Sequence, residues 1–182
     1  MSSRRGRSAD TSSRAVPPAV TPASPKPASE SATEMVQLVL PNDTNPIGNV
    51  LGGTVMHWID VVAAIAAHRH CRNICVTASM DDLSFEAPIR MGQLARLSAR
   101  VTHTANSSVE VQVDVVAEDL NAGTSRRTST AFLTFVAIDE TGRPVAVPPL
   151  LVGPEDEAEH ARAVVRRRDR LSRRAARGPR TA

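Results

Sequence analysis

Between Thr54 and about His70 the chain carries Val55, Met56, Trp58, Ile59, Val61, Val62, Ala63, Ala64, Ile65, Ala66 and Ala67, and only His57 and Asp60 interrupt the run before His68. The run reads as a helix that is apolar nearly all round, so it has to be enclosed by other structure. The rest of the chain must supply that enclosure. Hydrophobic residues make up 41% of the 182, enough for one core. No stretch approaches the roughly 20 consecutive apolar residues of a membrane span.

After the helix the period changes. Ala95, Leu97, Ala99 and Val101 alternate with Arg96, Ser98, Arg100 and Thr102, and Val109, Val111, Val113 and Val115 alternate with Glu110, Gln112 and Asp114. Each run is a strand with one buried and one wet face. Met35–Leu40, ended by Pro41, and Cys75–Phe85 read as further strands, with Thr128–Ile138, moderately apolar on both faces, as a central one. The expected fold is α+β, with one long apolar helix wrapped by an antiparallel sheet of about five strands.

The two ends differ from this body. Residues 1–33 are Ser, Ala, Pro, Thr and Arg with almost no large apolar groups, and are expected to be disordered. Residues 34–153 form the folded domain. Residues 154–182 read as an Arg-rich helix and tail, with acids at the helix start (Glu155, Asp156, Glu157, Glu159) and arginines at its end, as the helix dipole favours. Its apolar stripe is weak, so the helix is expected to pack loosely with its arginines in solvent.

The formal net charge of +3 belongs to those ends, because residues 34–154 carry more acids than bases. A nucleic-acid partner is therefore not expected. Aromatics are 2%, with no Tyr, which argues against a base-stacking platform. A membrane partner is not expected either. Two cysteines make no disulfide framework and no apolar signal-peptide core is present, so the expected location is cytoplasmic. His68, His70, Cys71 and Cys75 match no common zinc spacing, and no metal is expected.

Asp60 is the odd residue. A carboxylate inside an apolar helix is costly unless it is paired or functional. Ala63, Ala64 and Ala67 leave open space on its side of the helix. One reading is a reactive acid; the other is a solvent-reaching acid at a sheet or dimer edge. Just ahead of the helix stand Asn45-Pro46-Ile47-Gly48 and Gly52-Gly53. Glycines admit a ligand to the backbone, and a helix start presents free N–H donors suited to an oxyanion. The lysine of a phosphate-binding loop is missing after Gly53, and no G-x-S-x-G elbow appears.

The pattern Pro41-x3-Asn45-x2-Gly48-x3-Gly52-Gly53-x2-Met56-x-Trp58-x-Asp60 resembles the hot-dog-fold acyl-CoA thioesterases, above all the cytosolic, brain-type hydrolases and their bacterial relatives. Ala66-Ala67-His68-Arg69-His70-Cys71, Val76-Thr77-Ala78-Ser79-Met80-Asp81, Phe85-x2-Pro88-Ile89-x2-Gly92 and Ser129-x-Ala131-Phe132-x2-Phe135-Val136 continue the match. It spans about residues 34–150 in one collinear register.

The resemblance implies hydrolysis of acyl-CoA thioesters to free acid and CoA. It implies dimers that join two sheets into one, with a trimer of dimers as the larger assembly. The family's catalytic Asn and Asp fall on Asn45 and Asp60, drawn from different subunits, with Asp60 as general base or nucleophile. Backbone N–H groups near Gly52 and Gly53 would polarise the carbonyl. Ser79, Met80 and Phe85 are candidates for the substrate channel. Ser107, Ser108, Arg72, Arg126 and Arg127 are candidates for contacts to CoA. CoA is part of substrate and product, and no separate cofactor is implied. The alternatives are another CoA-ester enzyme of this fold and a non-hydrolytic acyl-CoA sensor. The His-x-Phe-Pro-Gly context of the dehydratases is missing, and residues 1–33 are unsuited to a DNA-binding helix-turn-helix.

Overall fold

Alternation becomes a sheet in the computed structural model of the chain, which describes residues 24–176. Five strands form it: β2 (Thr33–Leu38), β3 (Ile74–Phe85), β4 (Leu94–Thr104), β5 (Ser108–Asp119) and β6 (Thr124–Ile138), in the order β2-β4-β5-β6-β3 with every neighbour antiparallel. The long helix α1 (Gly52–Cys71) lies across one face. It buries Val55, Trp58, Ile59, Val62, Ala63, Ala66 and Ala67 against the apolar row of each strand: Leu97 and Val101 of β4, Val111, Val113 and Val115 of β5, Leu133 and Phe135 of β6. Fully buried alanines at 63, 66 and 67 let the helix backbone sit close to the sheet. This is the expected architecture, a helix held in a curved antiparallel sheet.

Strand boundaries differ from expectation where pairing partners extend them. β6 begins at Thr124, ahead of the apolar run, because Arg126 and Arg127 pair with Ala117 and Val116 of a longer β5. Order also begins earlier than the expected 34. β1 (Lys26–Pro27) pairs in parallel with β7 (Leu150–Leu151), and Ala28 and Ser31 are buried. The chain's single lysine, Lys26, donates to the carbonyls of Arg69 and His70 at 3.0 and 3.1 Å, satisfying the end of α1. Composition hides this strap, since its docking is polar. The disorder expected of residues 1–23 lies outside the described residues.

α1 itself is not enclosed on all sides. The sheet covers one face, while Met56 and Ile65 on the other are 42% and 40% exposed. One chain has too few layers to cover both.

The second helix, α2 (Glu157–Ala176), corrects the expectation of a loosely packed helix with solvated arginines. It docks on the polar face of the sheet through charge. Arg166 donates to Glu110 and to Glu159, both at 2.7 Å, and its guanidinium lies 3.7 Å from the centre of the Phe132 ring. Arg170 reaches Asp81 at 3.1 Å. Hydropathy counts these arginines as surface, but both side chains are only 17% exposed because buried acids on the sheet pair with them.

Candidate active site

The loop from Asn45 to Leu51 is tied down on several sides. Asn45 N–H donates to the Asn49 carbonyl at 2.8 Å, Val50 N–H to Ile89 at 2.8 Å, and Leu51 N–H to Asp43 at 2.9 Å. Gly48, at φ +76°, makes the turn that an L side chain would strain. The Asn45 side chain supports the loop too: its Oδ1 accepts from the N–H of Ile47 and of Asn49, both at 3.1 Å. With Oδ1 occupied by two donors, the amide Nδ2 is the end left to act, and it can only donate.

α1 starts without a side-chain cap, since its N-cap residue is Leu51. The N–H groups of Gly52 and Gly53 therefore have no acceptor among the described residues. A Cβ on Gly53 would meet nothing within 4 Å, so packing does not require glycine there. Helix propensity disfavours it by about 1 kcal/mol against alanine, and open approach to the backbone is what glycine provides. A cavity of about 370 Å³ opens at this point, walled by Asn45, Val50, Gly52, Val55, Phe85 and Ile89 among others. The Phe85 ring faces Gly52, and Phe85 is half exposed at the rim.

Asp60 lies eight residues further along α1, about 12 Å at 1.5 Å per residue. It is partly buried, has no ion pair among the described residues, and accepts a hydrogen bond from Thr77 Oγ1 at 2.8 Å. Thr77 sits on β3, an edge strand of the sheet with no partner on its outer side among the described residues. Thus Asp60 faces the open edge, and the same chain's Asn45 is not one of its partners. Within the matched Val76–Asp81 run nothing marks Thr77 as a site residue; only the pairing of helix and strand sets it beside Asp60.

The remaining candidates scatter. Met80 is on the α1 side of β3, packed against the core, while Ser79 pairs with Thr134 in the row that contains Glu110, on the α2 side. A register shift between Thr77 and Ser79 separates the two faces. Arg126 and Arg127 lie near the start of α1, where Arg126 donates to the Pro88 carbonyl at 3.4 Å. Arg72 caps the far end of α1, at φ 55°, and Ser107 and Ser108 stand at that same end of the sheet. A 20-residue helix of about 30 Å separates the two groups, so one chain does not bring them together. His70, near the end of α1, is fully buried; burial lowers its pKa, and its Nε2 donates to Pro148 O at 3.1 Å.

Known proteins are similar to this chain in sequence and fold. The model of the Thioesterase superfamily matches residues 47–124. A Bacillus subtilis protein named as an acyl-CoA thioester hydrolase is 43% identical over 147 residues, covering 79% of this chain and 84% of that one. The chain belongs to the thioesterase superfamily. A rat cytosolic acyl coenzyme A thioester hydrolase is 39% identical over 135 residues, 73% of this chain but 35% of its own length. The chain thus spans about a third of that mammalian relative.

Among solved structures, an apo-hexameric acyl-CoA thioesterase superposes with a TM-score of 0.80 at 37% identity, over 84% of this chain and 99% of that one. A Staphylococcus aureus acyl-CoA hydrolase in complex with butyryl coenzyme A, coenzyme A and coenzyme A disulfide superposes at 0.78 with 34% identity, over 83% and 93%. Three solved variants of that hydrolase replace an Asn, an Asp and a Thr by Ala. The steps between them are fifteen and seventeen residues, the steps from Asn45 to Asp60 and from Asp60 to Thr77.

Proposed function

We propose that the protein hydrolyses acyl-CoA thioesters to a free acid and CoA, at sites shared between two subunits. One observation carries the reading. Asp60, unpaired with any cation among the described residues and held by Thr77, faces the open sheet edge in register with the Asn–Asp–Thr set of the staphylococcal hydrolase.

In this reading the thioester carbonyl lies at the start of α1. The N–H groups of Gly52 and Gly53 and the Nδ2 of Asn45 donate to its oxygen as negative charge develops there. Asp60 of the partner subunit takes a proton from a water whose oxygen attacks the carbonyl carbon, or attacks that carbon itself to form a mixed anhydride that a water then hydrolyses, releasing the acid and restoring the carboxylate. The C–S bond then breaks, and CoA leaves as the thiolate and takes up a proton. Thr77 orients the carboxylate.

Pairing of β3 with its two-fold copy is part of the proposal: it would cover the exposed far side of α1 and set the start of one helix toward the end of the other. The same pairing would bring Arg126 and Arg127 of one chain near Arg72, Ser107 and Ser108 of the next, around one CoA. A trimer of such dimers is part of the proposal, supported by the hexameric neighbour. So is a cytoplasmic setting, supported by a relative named cytosolic and by two free cysteines. No helix of the described residues is long and apolar enough to cross a membrane.

The test is Asp60→Asn. The variant is expected to keep its fold and its dimer and to lose butyryl-CoA hydrolysis by about 10²- to 10⁴-fold, the range of a general base. Near-wild-type thiol release would overturn the assignment.

A further inference from the structure

The cavity at the start of α1 contains a polar group that the hydrolytic step does not use. Ser129 of β6 is fully buried, and its Oγ has no hydrogen-bond partner in the described chain. Its register neighbours are Val115 of β5 and Phe85 of β3, which places it on the α1 side of the sheet, and it lines the cavity with Gly52, Val55 and Ile89. The adjacent Thr128, also buried there, is satisfied, because its Oγ1 donates to the Val115 carbonyl at 3.2 Å. Buried hydroxyls are nearly always hydrogen-bonded, and one left without a partner needs an explanation. Here the residue belongs to the wall of a pocket that Asn45 and Gly52, with its free N–H, also line.

We propose that this cavity receives the acyl chain and that Ser129 selects chains bearing an oxygen, as hydroxyacyl or oxoacyl groups, over plain alkyl chains of the same length. The inference rests on the thioesterase reading above. With the thioester carbonyl at Gly52 and Gly53, the chain passes Val50, Val55 and Ile89 and meets Ser129 in the interior. A plain alkyl chain would cover the Oγ and leave it dry and unpaired. A chain hydroxyl can donate to it and a chain ketone can accept from it, since a serine hydroxyl is both donor and acceptor. Sites that pair a substrate hydroxyl discriminate against the analogue lacking it for this reason.

Thiol release measured with 3-hydroxybutyryl-CoA against butyryl-CoA, and with 5-hydroxyhexanoyl-CoA against hexanoyl-CoA, tests the proposal. In the wild type the oxygenated ester of at least one pair should show a kcat/KM higher by about tenfold. That ratio should fall to near one in Ser129→Ala and persist in Ser129→Thr. Ser129→Cys, close in volume and a weak donor, serves if the alanine variant does not fold, and should lower the ratio too. Equal kcat/KM within both pairs, or a preference that survives in the alanine and cysteine variants, overturns the role of Ser129 and leaves the thioesterase reading standing. No hydrolysis of any of the four esters would instead overturn that reading.

Discussion

Two histidines show how burial sets chemistry away from the site. His103 and His160 pack with tilted rings whose centres lie 5.2 Å apart, and His160 Nδ1 donates to the Thr102 carbonyl at 3.0 Å. Burial, followed by the nearby charges of His160, Arg167 and Arg170, lowers the His103 pKa to about 4 from its ordinary 6.5. The folded state therefore prefers the neutral ring, while the unfolded chain takes a proton at about 6.5. The stability His103 contributes is complete above that pH and is lost as pH falls from 6.5 through 4. Urea denaturation midpoints should drop over this window, and the drop should be shallower in His103→Gln. Parallel curves for the two proteins would refute the assignment.

α2 is held by ion pairs where most helices are held by an apolar stripe. Arg166 bridges Glu110 on the sheet and Glu159 on its own helix, and Glu110 is 1% exposed. Arg166→Met would leave the Glu110 carboxylate buried with only Thr102 at 2.9 Å and the more distant Arg170 at 3.6 Å. Removing one partner of a buried pair typically costs 3–5 kcal/mol, and the remaining contacts favour the low end, about 3 kcal/mol. Urea unfolding of Arg166→Met should show that loss, and the double variant with Glu110→Gln should recover most of it. If the double variant were as unstable as the single one, the pair would not be what holds α2.

For the whole molecule the open edge matters most. β3 is 12 residues long and carries Ile74 and Val76, 55% and 42% exposed, along an unpaired side. Long bare apolar edges recruit other strands, and lysine is the residue that blunts them. Val76→Lys would set like charges near each other in a two-fold pairing of β3. It is expected to run as a monomer in sedimentation velocity and to lose hydrolysis by at least 100-fold, the size of a lost general base, although Val76 is remote from Asn45. A fully active monomer would show that the site is complete within one chain.

The alternating rows of β4 and β5 and the apolar run of α1 were legible in the chain because a sheet with one wet face and a core helix impose periods of two and 3.6 on the residues. Gly52, Gly53 and Asp60 were legible for a related reason, since each is the wrong residue for a helix unless something comes to it, whereas Asn45 suits its loop and is singled out only by the family resemblance. Thr77 was not legible, since a threonine in a strand satisfies its own neighbourhood and reveals nothing until α1 is laid beside it. Nor were the strap at Lys26, the buried arginines of α2 or the orphan hydroxyl of Ser129. Lys26 and the two arginines find their partners 43 to 89 residues away, as Arg166 does in Glu110 and Arg170 in Asp81, and Ser129 stands out only because the folded chain gives it none; polar groups buried by distant contacts leave no periodic trace along the chain.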